Sequence, residues 1–147
     1  VVYAADLLSS AGLKLDFTVV GSSPHGVENA NITYVEGYIP YRDYLKRLYG
    51  SRAIVDIAQQ GQLGYSMRVM ESIFYDKKLI TTNAHVADSP FFEYGNVLIL
   101  DAGTTPYEVQ EFMAKPHMPY GDEIRRYYSV EAWADRFSLR TDDDINA

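Results

Sequence analysis

One stretch constrains the fold more than any other. Between residues 52 and 83 a nearly continuous apolar run, RAIVDIA, passes through a glycine-bearing loop into a short amphipathic segment and then into a second apolar run, KLITTN. Ala53, Ile54 and Val55 offer no polar face, which suits a parallel strand covered on both sides. Gly61 and Gly64 flank a polar loop, and Ser66 stands where a helix N-cap is expected. Met67, Met70 and Phe74, with Val69 and Ile73, then recur at helical spacing as an apolar stripe. Arg68, Glu71, Ser72 and Tyr75 make the opposite face of that helix.

The same alternation runs through the rest of the chain. A helix over residues 1–10 ends at Gly12, and LDFTVV (15–20) is a strand entering the GSSPHG turn. NITYVE (31–36) is a second strand closed by Gly37. Pro40 then introduces a helix over 41–50, with Tyr41, Tyr44, Leu45 and Leu48 at helical spacing and Gly50 as its stop. After the central unit, HVADSPFFEYGN (85–96) reads as a loop and VLIL (97–100) as the fifth strand. Thr105 and Pro106 start another helix, and Ser129 caps a last one carrying Val130, Trp133 and Phe137 on one face. The expected class is α/β, a doubly wound and mostly parallel Rossmann-like sheet in three α/β/α layers. It forms one domain over residues 1–140, followed by an acidic tail, 141–147, with Asp142, Asp143 and Asp144. In such sheets ligands bind beyond the carboxyl ends of the strands, where the loops 37–41 and 59–66 both open.

A loop running into a helix N-terminus presents unpaired N–H groups and partial positive charge, a setting that suits phosphate. Arg68 in the first turn opposes the helix dipole by roughly 0.3–1 kcal/mol unless an anion is near. Glu71 lies one turn deeper, and a carboxylate accepts two hydroxyls at once. Diphosphate at the loop and ribose at Glu71 would fit a nucleotide; a surface ion pair between Arg68 and Glu71 is the alternative.

Composition narrows the partners. With 13 basic and 20 acidic residues the net charge is −7, which disfavours a nucleic-acid backbone as partner. The absence of cysteine excludes disulfides and thiolate metal sites. His25, His85 and His117 are far apart and lack ligand spacing, so no metal is expected; His85, just after a strand end, is the most interesting of them. Asp56 reads either as a pocket carboxylate or as a satisfied polar group at the end of a buried strand. The 13 tyrosines fit half-buried packing, with contacts to sugars or aromatic groups as the other reading. No apolar run has transmembrane length.

In order and spacing, VEGYIPYRDYLKRLYGSRAIVDI, GQLGYSMRVMES, KKLITTN and NVLIL resemble the C-terminal, nucleotide-sugar-binding domain of GT-B-fold glycosyltransferases, particularly bacterial enzymes of capsule and lipopolysaccharide synthesis. The resemblance covers about residues 15–100, and the last helix around Trp133 resembles the segment returning to the N-terminal domain. It implies that Gly64, Tyr65 and Ser66 cradle the donor diphosphate, that Arg68 adds charge and that Glu71 holds the ribose hydroxyls. The Gly37–Tyr38–Ile39–Pro40 turn would read the base, with Tyr38 and Ile39 beside it and Thr82 at the same rim. The donor is a substrate; no cofactor is implied. The family's first strand and phosphate loop, like its acceptor domain, would precede Val1, and the general base would come from there. A lipid-linked acceptor would place the enzyme in the cytoplasm, at the inner face of the membrane.

Two departures stand out. Many retaining members carry a second glutamate where this chain has Leu63, which leaves the stereochemical outcome open. Asp76 and Lys78 replace a Gly and a Pro, and Asp76 is expected to take the left-handed turn. Competing readings are a nucleotide-sugar epimerase, a non-catalytic interaction module and a receiver-type domain. The first lacks a carboxylate and histidine set, and the last an early acidic cluster.

Overall fold

A computed structural model describes residues 1–21, 29–59, 61, 62 and 64–138. The GSSPHG turn beyond Gly21 with His25, Leu63, the acidic tail and the side chain of Phe137 lie outside the described residues. Along the chain run α1 (Val2–Ser10), β1 (Phe17–Val20), β2 (Ile32–Val35), α2 (Tyr41–Gly50), β3 (Ala53–Asp56), α3 (Met67–Phe74), β4 (Lys78–Thr81), β5 (Val97–Ile99), α4 (Pro106–Ala114), α5 (Asp122–Tyr127) and α6 (Val130–Ser138). Every strand pairing is parallel, and helices cover both faces, so the expected α/β class holds. The strands form two sheets, β1-β2 and β3-β4-β5. Phe17 of β1 and Ala53 and Val55 of β3 pack on one apolar cluster, yet these two strands are not paired to each other.

Strand β4 is the centre of the larger sheet, and all four of its residues are buried. Successive side chains point to opposite faces of a strand, so Leu79 and Ile80 serve two different cores. Ile80 joins Ala4, Leu7 and Leu8 of α1 and Val109, Phe112 and Met113 of α4. Leu79 joins Val69 and Ile73 of α3, Phe91, Tyr120 and Ile124 of α5. Each such side chain contributes about 1.5–3 kcal/mol by leaving water.

The stripe read on α3 is only partly the buried one. Val69 and Ile73 are in the core, but Met67 and Phe74 are exposed, while Glu71 and Ser72 from the expected polar face are buried. The reason is lateral. Tyr41 and Tyr44 of α2 lie against that side of α3, so the helix is covered by a neighbouring helix as well as by the sheet.

Three helix C-termini are closed by cations from elsewhere in the chain. Neither α3 nor α4 has a basic residue in its last turn. The Lys78 ammonium, only 3% exposed, donates to the carbonyl of Phe112 and, at 2.6 Å, to that of Lys115, and stands 4.5 Å from the centre of the Phe112 ring. Arg52 adds a bond to the Met113 carbonyl at 2.8 Å. Lys77, facing the other way, donates to the carbonyls of Tyr49 and Ser51 at 3.1 and 2.7 Å, where α2 ends. Arg125 serves α3 through the Phe74 carbonyl and an ion pair with Asp76 at 2.6 Å. Asp76 itself takes the left-handed conformation expected of it, with φ 51°.

Two 3₁₀ turns, Ala84–Asp88 and Phe92–Tyr94, occupy the stretch expected to be a loop, and α5 lies where the sequence reading assigned no element. Asp122 and Glu123 at the start of α5 and Arg125 and Arg126 at its end match the helix dipole, a charge pattern that six residues are too few to show as a period. Asn96, fully buried, exchanges two bonds with the backbone of Met118 at 2.6 and 2.9 Å and thereby folds residues 115–121 over the core. Ser129 caps α6 through the Ala132 amide at 3.2 Å, but Val130 and Trp133 are exposed rather than packed inward. No helix among the described residues is long and apolar enough to cross a membrane.

Two outcomes follow. Lys78→Met strands the carbonyls that close α4 and should lower unfolding free energy by about 2–3 kcal/mol in urea melts, with Lys77→Met costing less because its site is wetter. Burial, opposed by Asp76 and reinforced by Lys78, Arg125 and Lys77, holds the His117 imidazole below its ordinary value. The fold therefore favours the neutral ring. Stability should fall as pH drops below about 6.5, and His117→Gln should flatten that slope in melts between about pH 7.5 and 5.

Candidate functional site

The loop between β3 and α3 is pinned at the carboxyl ends of the strands. Asp56 closes β3 and is 1% exposed; its Oδ1 accepts from the Ser66 hydroxyl at 2.7 Å and its Oδ2 from the Thr81 hydroxyl at 3.0 Å. Thr82 accepts from the Ala58 amide at 2.9 Å. The Asn83 side chain donates to the Gly64 carbonyl at 3.2 Å and accepts from the His85 amide at 3.0 Å, while Gln62 reaches the same carbonyl at 3.1 Å. Asp56 is thus the satisfied group of the two readings.

Ser66 occupies the N-cap position of α3 with extended backbone, but its hydroxyl is given to Asp56 and caps nothing. This corrects the expectation for Ser66. The first-turn amides of α3 consequently have no side-chain cap. Arg68 on that turn is exposed and forms no ion pair among the described residues, so the surface pair with Glu71 does not exist.

Glu71 is 6% exposed, and both its oxygens are engaged from α2. The Tyr44 hydroxyl donates to Oε2 at 2.5 Å and the Tyr41 hydroxyl to Oε1 at 3.1 Å, with the two rings stacked 5.9 Å apart. Desolvation, then the hydrogen bond and charge of Glu71, pushes the Tyr41 hydroxyl up to about 12. The same causes push Tyr44 higher still, against the opposing charge of Arg68, which places that guanidinium in the same neighbourhood.

Beside the loop lies an open cleft of about 450 Å³, lined by Gln59, Gln62, Thr82, Asn83 and His85 among others. Of the expected binding residues only Thr82 lines it. Gly64 stands on its border through Asn83 and Gln62. Tyr65, 37% exposed, lies edge-on to Phe91 and Tyr128 at 5.7 and 6.3 Å. Arg68 and Glu71 face α2 instead. Tyr38 is exposed and Ile39 half-buried in the turn that leads into α2, after Gly37 at φ 84°. Sequence reasoning assigned Tyr41 and Tyr44 to packing and missed Gln62. Two tyrosines within one turn of a helix following a strand were the signal for the first. No group of three potential metal ligands occurs among the described residues.

Comparison with protein-family models, curated proteins and solved structures gives no match.

Because their folded values lie above those of free tyrosine, Tyr41 and Tyr44 contribute stability that is complete below pH 10.0 and is lost as pH rises toward about 12. Tyr44→Phe should shrink this alkaline loss, as measured by urea melts paired with tyrosinate absorbance.

Proposed function

We propose that this chain is the donor-binding domain of a GT-B-type glycosyltransferase, moving a sugar from a nucleotide-diphosphate donor to a hydroxyl acceptor in bacterial surface polysaccharide synthesis. The observation that carries the reading is the start of α3: first-turn amides without a side-chain cap and an exposed Arg68 without a carboxylate partner, behind a loop fixed by Asp56 and Asn83. An anion there would meet oriented N–H groups at the helix start and the Arg68 cation of the first turn. Such a site would stabilise the diphosphate as it leaves the sugar. Gly64 and Ser66 would shape the backbone around it, Glu71 would take ribose hydroxyls, and Tyr38 and Ile39 would flank the base. The general base and the acceptor site belong to another part of the enzyme, and a lipid-linked acceptor would bring it to the inner face of the cytoplasmic membrane.

A second reading is favoured by one observation. Both oxygens of Glu71 are already occupied, as expected of a non-catalytic α/β interaction module in which Glu71 ties α3 to α2.

Thermal melts with UDP, GDP, CDP and ADP separate the two. A ligand at about 100 times its dissociation constant adds about 2.7 kcal/mol. Selective stabilisation by one diphosphate, lost in Arg68→Ala and reduced in Glu71→Ala, is the expected result. No shift with any of the four favours the interaction module.

A further inference from the structure

The two hydroxyls on Glu71 are unequal in length and in surroundings. Tyr44 is half-buried and its bond to Oε2 is short, 2.5 Å; Tyr41 is 52% exposed and its bond to Oε1 is 3.1 Å. An ionised carboxylate has about four lone-pair sites, so Glu71 can take the two hydroxyls of a vicinal diol, one on each oxygen, while Oε2 keeps the Tyr44 donor. The Tyr41 phenol stands in for a ligand hydroxyl on Oε1.

We infer that Tyr41 is an exchangeable gate on Glu71, and that the vicinal diol of a ribonucleoside diphosphate displaces its hydroxyl from Oε1 while Tyr44 stays and fixes the carboxylate. This rests on the donor-site reading above. The asymmetry decides which phenol leaves. Tyr41, 52% exposed and on the longer bond, gives up Glu71 more easily than Tyr44, whose release would leave a more deeply placed phenol unpaired. Tyr44 is therefore a positioning residue. Without it the carboxylate loses the 2.5 Å bond that holds Oε2 in place. Both tyrosines come from the turn of helix that follows Gly37–Pro40, so the same segment that ends β2 controls access to the carboxylate on α3.

The test is calorimetric binding of UDP, GDP, CDP and ADP, each beside its 2′-deoxy counterpart, to the wild-type chain, Tyr41→Phe and Tyr44→Phe, with thermal melts to show that the variants fold. Tyr41→Phe should bind the preferred ribonucleotide about three- to tenfold tighter, since no phenol has to be displaced. Tyr44→Phe should bind it more weakly. The 2′-deoxy counterpart, bringing a single hydroxyl, should bind less tightly than the ribonucleotide to both wild type and Tyr41→Phe. In the wild type, saturating ligand should also return one tyrosine's ionisation toward its ordinary value as Tyr41 leaves the carboxylate. If the wild type binds a diphosphate but Tyr41→Phe binds it no tighter, or ribose and 2′-deoxy ligands bind alike, the gate is wrong and the donor site stands. If no diphosphate binds any of the proteins, the donor-site reading fails and the gate fails with it.

Discussion

Helices α3 and α4 end on carbonyl groups that no basic residue of their own last turns neutralises, and the arrangement depends on cations brought from other segments of the chain. Lys77 and Lys78 are neighbours at the start of β4, and the alternation of a strand sends them to opposite faces. One closes α2, the other α4. Two helix layers are thereby registered against the same point of the sheet, by charge-assisted bonds to carbonyls whose dipoles favour a cation. Burial of Lys78 depresses its basicity, with Arg52 and Lys115 adding repulsion. The bonds to Phe112 and Lys115 are what keep the ammonium tolerable in that place.

At the opposite end of the same strands the polar groups are arranged to hold a loop. Asp56 takes the Ser66 hydroxyl away from the helix it would otherwise cap, and Asn83 and Gln62 take the Gly64 carbonyl. A capped helix start is a closed one. Giving up the cap leaves donors at the mouth of α3 while the backbone leading to them stays fixed, the condition under which a helix terminus can recognise an anion without reorganising.

Most of the fold was legible because it is local. Apolar runs such as Ala53–Val55, the proline at the start of α4 and the glycine after α1 give strand and helix positions from neighbouring residues alone, and Asp76 announced its left-handed turn. What escaped were relations between distant segments. That Ser66 would serve Asp56 rather than α3, that Glu71 would be buried by tyrosines some thirty positions earlier, and that Tyr65 would turn to Phe91 are all decided by how helices sit beside one another. Periodicity sees one face of one helix. The split of the sheet was equally hidden, since strand order is not written in any single strand.

That split shapes how the molecule opens. The β1-β2 ribbon meets β3-β4-β5 through side chains packed on one cluster under α1 and is tied to α2 by Arg47 on Thr18, with no backbone ladder to the larger sheet among the described residues. Strand β4, paired on both sides and buried throughout, sits at the other extreme. Native-state opening is therefore graded across the fold. The ribbon, a two-stranded pair, is the less tied unit, whereas Asp56, Thr81 and the loop they hold belong to the three-stranded sheet.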